Sequence, residues 1–124
     1  MSSAQAQVAF ASFSTLPERE SLLRDLQDFY NDEFGVFNDS MHLYRVGVPF
    51  GPLVMEYLKE LGIQTGIHYK CVHTMDCYKQ YAEESLPNSQ WVDSRMISIP
   101  FHTKVTRSDA IKVVQGVRNA LARV

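Results

Sequence analysis

The chain has 124 residues, 45% of them hydrophobic, and its 12 basic and 14 acidic side chains leave a formal charge of −2. That length suits a single domain able to bury roughly two-thirds of the surface its unfolded form exposes. The scattered charge provides no basic stripe for a nucleic acid, and no apolar run approaches the roughly 18 to 20 residues needed to span a membrane.

Residues 1–16 are small and polar apart from Val8, Phe10 and Phe13, and they read as an N-terminal tail or edge segment. The opening MSSAQAQVAFASFS lacks the charged start and continuous apolar core of a secretory signal, so a soluble cytoplasmic protein is expected. Residues 17–124 read as a single α/β domain. Thr15 and Glu18 have capping-box spacing and Pro17 suits a first helical turn. With Leu22, Leu26, Phe29 and Tyr30 at helical spacing, they predict a helix over 17–31.

HLYRVGV at 42–48 has β-favouring residues and stops at Pro49, which cannot donate to a sheet, so it predicts a strand. Val54, Tyr57, Leu58 and Leu61 then form one apolar helical face, with Gly62 placed as a left-handed C-terminal cap. IQTGIHY at 63–69 and RMISIP at 95–100 predict two further strands, the latter stopped by Pro100. Pro87 opens a short helix in which Trp91 is expected to anchor against the core. Thr106 and Asp109 cap a closing helix whose stripe runs through Ala110, Val113, Val114, Val117, Leu121 and Val124 to the terminus. The fold class that follows is α/β, a two-layer sandwich. Its small, mostly antiparallel sheet of about three strands has helices packed on one face, leaving the other face open to a partner.

His68, Cys71, His73 and Cys77 supply the atoms that zinc prefers. Their spacing argues against a metal site, because structural sites usually clamp the ion between two separated pairs and these four share one short segment. Two readings of the cluster stay open: small buried cysteines with one core histidine, or a loop that touches a ligand. A cysteine nucleophile has no identifiable third partner or oxyanion hole, and the dispersed glycines make no phosphate loop. No catalytic residue is assigned.

The segments ELGIQTGIHYKCVH, LPNSQ and ISIPFHTKVTRSDAIKVVQGV resemble, in order and spacing, the C-terminal small domain of the DegT-type nucleotide-sugar aminotransferases. These are fold type I enzymes dependent on pyridoxal phosphate (PLP). The resemblance covers residues 42–124, with Cys71 standing where a proline is common. It implies that His68 and Tyr69 face the phosphates of a nucleotide sugar, with Lys70 and His73 as neighbours, and that His102 is structural. Imidazole and phenol groups give directional hydrogen bonds to phosphate oxygens, and Lys70 adds a point charge.

None of Lys59, Lys70, Lys79, Lys104 and Lys112 matches the family's cofactor lysine, so PLP is expected on the complete family enzyme and not on this chain alone. Two functions remain open. The chain contributes the C-terminal domain of a sugar aminotransferase, inactive without a large domain, or it is a non-enzymatic binding or interaction module derived from that domain. The expected partners are a nucleotide sugar and either a large domain or a second copy of the chain.

Overall fold

A computed structural model describes residues 2–81 and 85–124. Helix α1 (Ser3–Ser14) runs almost directly into α2 (Leu16–Phe34), followed by strand β1 (Tyr44–Gly47) and helix α3 (Gly51–Glu60). Two short 3-10 turns, Val72–Thr74 and Lys79–Tyr81, precede helix α4 (Pro87–Arg95), strand β2 (Met96–Ile99) and helix α5 (Arg107–Leu121). Among the described residues no helix is long and apolar enough to cross a membrane.

The strands pair antiparallel with Tyr44 opposite Ile99 and Val46 opposite Ile97. Side chains alternate between the two faces of a strand, so Tyr44, Val46, Ile97 and Ile99 form one inner face, while Arg45 and Ser98 share the outer one. Helices α2, α3 and α5 supply the rest of the core through Leu26, Phe29, Tyr30, Val54, Leu58, Val113, Val114 and Val117. Tyr30 and Tyr44 are fully buried with ring centroids 4.9 Å apart. Each phenol is nevertheless satisfied: Tyr30 donates to the Pro100 carbonyl at 3.1 Å and Tyr44 to Asn31 Oδ1 at 2.8 Å. Burial raises both phenols, Tyr44 to about 12, so both remain protonated donors at neutral pH. Asn31 also accepts from the Asn38 amide at 3.1 Å, tying the end of α2 to the loop that leads into β1.

The α/β class and the one-sided helical layer match the sequence reading, but the sheet has two strands and not three. Gly66 exchanges both backbone hydrogen bonds with Ser98, at 3.0 and 2.8 Å, and pairing goes no further. The chain before it is committed elsewhere: Gly62 (φ 74°) and Ile63 return their amides to the Lys59 and Leu58 carbonyls, which closes the end of α3.

Residues 3–14, unassigned by pattern, form a helix whose N-terminus is closed by a reciprocal Ser2–Gln5 capping box. Because α1 precedes it, Thr15 is already helical in backbone and makes no side-chain cap. Its hydroxyl donates to the Ser12 carbonyl instead. Trp91 does not anchor α4: it is 55% exposed, with the Arg95 guanidinium 5.2 Å from its ring centre. The contacts α4 makes with the rest of the fold include Asp93, which holds the Cys71 amide, the Ser94 carbonyl beside Gly51, and the Arg95 carbonyl, which accepts from the Val48 amide at 2.8 Å.

The Thr106–Asp109 capping box forms as expected, and its hydrogen bonds from the Thr106 hydroxyl and amide hold the Asp109 carboxyl below its usual range. A depressed carboxyl contributes stability above its unfolded value, about 3.9, and loses it as pH falls through the folded value. Asp109→Asn should therefore lower the melting temperature at neutral pH, with the gap to wild type closing below about pH 4. Leu58 of α3 is fully buried against Gly116 of α5, and Leu58→Ala should cost about 2–5 kcal/mol in urea denaturation.

Candidate functional site

The segment 66–73 leaves the sheet at Gly66 and crosses the outer face of β2. A Cβ built on Gly66 would lie 2.7 Å from His68 Cε1, so the absence of a side chain there is what lets the imidazole lie over the strand. His68 Nδ1 is 2.9 Å from Ser98 Oγ, and Ser98 is itself buried. The Tyr69 ring meets the imidazole edge-on, centroids 5.4 Å apart, while remaining 72% exposed. Lys70 is exposed, and Arg45 stands directly across the sheet from Ser98 on the same outer face. Among the described residues neither cation enters an ion pair.

His73 lies in the first 3-10 turn and is separated from this group. It lines an open pocket of about 430 Å³ with Cys71, Val72, Tyr78, Tyr81, Leu86 and Ser89, which His68, Tyr69 and Lys70 do not reach. Of the four expected site residues, the fold thus brings His68 to Ser98 and Tyr69 to His68, leaves Lys70 exposed, and places His73 in a separate aromatic recess. His102 is exposed and its Nδ1 accepts from the Lys104 amide at 3.2 Å, within the turn that leads to α5.

The cysteines divide. Cys71 is buried and Cys77 exposed, so only the first behaves as a small core residue. Burial pushes the Cys71 thiol up, with the neighbouring Asp93 carboxylate adding to the effect, which is the opposite of what a nucleophile needs. Among the described residues no three His, Cys, Asp or Glu side chains converge as a metal site would require.

The sequence reading overlooked three contributors. Ser98 is the one polar residue within Met96–Ile99, a signal of an outward position in an otherwise apolar strand. Arg45 alternates with buried Tyr44 and Val46. Asp93 carried no local signal, because its bond to the Cys71 amide joins segments 22 residues apart. Chemically, His68, Tyr69, Lys70 and Arg45 provide directional donors and positive charge without an activated nucleophile, a combination suited to binding an anion.

One family model and three solved structures are similar to this chain. The sequence model of the DegT/DnrJ/EryC1/StrS aminotransferase family matches residues 1–118. The solved structure of DesV from S. venezuelae in complex with a ketimine intermediate superposes with a TM-score of 0.85 at 24% identity, covering 97% of this chain and 36% of that one. The aminotransferase TlmJ from Streptoalloteichus hindustanus gives 0.84 at 21% identity, over 95% of this chain and 36% of that one. The PLP form of the putative sugar aminotransferase Spr1654 from Streptococcus pneumoniae gives 0.88 at 18%, over 99% and 36%. The chain spans about a third of the length of these solved chains.

A thiol titration checks the local geometry. Cys77 should react promptly with a disulfide reagent in the native protein, and Cys71 only on unfolding. Equal rates for both would mean that the loop does not bury Cys71.

Proposed function

The chain belongs to the DegT/DnrJ/EryC1/StrS aminotransferase family, and on that premise we propose that it acts as the small domain of a nucleotide-sugar aminotransferase. In this reading it supplies contacts to the substrate's phosphates and a wall of the active site, while catalysis resides on a large domain. The observation that carries it is the outer face of the sheet, where Ser98 stands within hydrogen-bond reach of His68, Tyr69 meets the imidazole edge-on, and Arg45 is paired across the strands with Ser98. A diphosphate offers only acceptor oxygens to such a face, so every donor and cation on it contributes in the same direction. In the same reading His73 contacts the substrate from the recess it lines with Tyr78 and Tyr81.

PLP is the cofactor of complete family members, and when bound it supplies an electron sink for amino transfer. A lysine that bonds a cofactor carbonyl works from a desolvated pocket. Here Lys59, Lys70, Lys79, Lys104 and Lys112 are all exposed, and Lys79 is paired with Asp76 at 2.6 Å. These residues do not fit the cofactor, which in our reading sits on the large domain. Helix α1 is the surface we assign to that partner. It buries none of its own residues, exposes Val8, Phe10 and Phe13, and is matched within solved chains nearly three times as long as this one. A cytoplasmic location and a role in sugar biosynthesis follow from the same reading.

A second reading has its own support: the core closes without help from α1, so the unit could equally bind a ligand without reacting. Calorimetry with UDP-glucose tests the binding that both share. Weak binding is expected, weakened further by about fivefold in His68→Ala and in Tyr69→Phe through loss of one hydrogen bond each. Undiminished binding in both variants would remove these residues from the site. Added PLP separates the two readings from a self-contained enzyme. We expect borohydride trapping and peptide mapping to find scattered lysine modification, whereas stoichiometric labelling of one lysine with glutamate-dependent turnover would overturn the proposal.

A further inference from the structure

His68 is restrained from three directions. The ring lies over Gly66, where a Cβ would come within 2.7 Å of Cε1 and 3.3 Å of Nδ1. Tyr69 meets it edge-on, and Ser98 Oγ stands 2.9 Å from Nδ1. Ser98 cannot drift, because its backbone exchanges hydrogen bonds with Gly66 on one side and its strand pairs with β1 on the other.

The chemistry of this contact decides which nitrogen carries the proton in the neutral ring. A serine hydroxyl has one proton to donate, and neutral imidazole has one donor and one acceptor nitrogen. Among the described residues, the contact to Nδ1 is the single hydrogen bond that Ser98 Oγ makes. If Nδ1 carried the proton and donated to Oγ, the hydroxyl proton of a 5%-exposed serine would be left without an acceptor, which is costly in a protein interior. If the hydroxyl donates to Nδ1, both groups are satisfied and the ring proton must sit on Nε2, away from the serine.

We propose that Ser98 is a positioning residue whose hydroxyl donates to His68 Nδ1, fixing the Nε2–H tautomer so that the outward nitrogen is a dedicated hydrogen-bond donor. The inference deepens the proposed function and rests on it for the identity of the recipient, a phosphate oxygen of the substrate. An N–H so fixed selects for groups that only accept, and it would turn away a ligand that itself presents a donor at that position.

The test is the long-range proton–nitrogen spectrum of histidine-labelled protein, recorded at about pH 8.5, two units above an ordinary imidazole. His68 signals are identified by their absence in His68→Gln. In the wild type, Nδ1 should give the shift of an unprotonated acceptor nitrogen and Nε2 that of a protonated one. In Ser98→Ala the two shifts should move toward each other as both tautomers fill, and Ser98→Thr, which keeps a hydroxyl, should restore the separation. A wild-type spectrum with the proton on Nδ1, or averaged between the nitrogens, would overturn the proposal whether or not Ser98→Ala folds. So would shifts unchanged in a folded Ser98→Ala. Calorimetry with UDP-glucose is a separate reading: Ser98→Ala should bind about fivefold more weakly. If the wild type does not bind it at all while the tautomer pattern is intact and sensitive to Ser98, the phosphate assignment fails and the role of Ser98 stands.

Discussion

Two antiparallel strands of four residues each have no stability of their own in water, so the sheet exists because α2, α3 and α5 cover its inner face. Tyr44, Val46, Ile97 and Ile99 are buried there among aromatic and aliphatic side chains from all three helices. Strand alternation then makes the outer positions obligatory: with Ile97 and Ile99 inward, Ser98 must face out, and with Tyr44 and Val46 inward, so must Arg45. A one-residue slip of β1 would bury Arg45 and expose Tyr44 and Val46, and the same slip of β2 would turn Ser98 inward and expose the isoleucines. The packing of one face therefore determines the chemistry of the other.

The segment that crosses the outer face depends on few attachments. Gly66 pairs with Ser98, the His68 ring rests on both, and the Cys71 amide reaches Asp93 of α4. Beyond that point it is held by short-range bonds such as Thr74 Oγ1 donating to the Cys71 carbonyl at 2.7 Å. A rigid scaffold carrying a sparsely tethered polar segment is the usual arrangement of a binding loop. The His68 end is firmly placed because it is attached to the sheet, whereas the His73 recess is shaped by the loop's own side chains.

Helix α1 stands apart energetically. Its capping box and small residues favour helix formation, yet it buries no side chain, and helices of about 12 residues are marginal in water without tertiary support. Exposed phenylalanines on such a helix are more consistent with a surface that another body covers than with one selected for solvent.

The closing helix was legible from its own residues, since the Thr106–Asp109 box and a stripe of valines at helical spacing specify its start and buried face locally. The same holds for α3 with Gly62, for the two real strands with their terminal prolines, and for the family resemblance carried by linked motifs. Helix α1 was missed although Ser2 and Gln5 have capping-box spacing, because Val8, Phe10 and Phe13 form no buried stripe to reveal its period. IQTGIHY reads as a strand on propensity, but strand pairing is non-local, and only the closure of α3 and the exit over Ser98 reduced it to one bridge. Trp91 carried the largest apolar area in its segment, and the fold still turned it outward, because Asp93 and the Ser94 and Arg95 carbonyls took the inward contacts of α4. Residue types and spacings thus determined which chemical groups this segment carries. Which of them meet, Ser98 with His68 on one side and Arg45 across the strands, with His73 in a separate recess, was decided by contacts between positions distant in the chain, which no local pattern encodes.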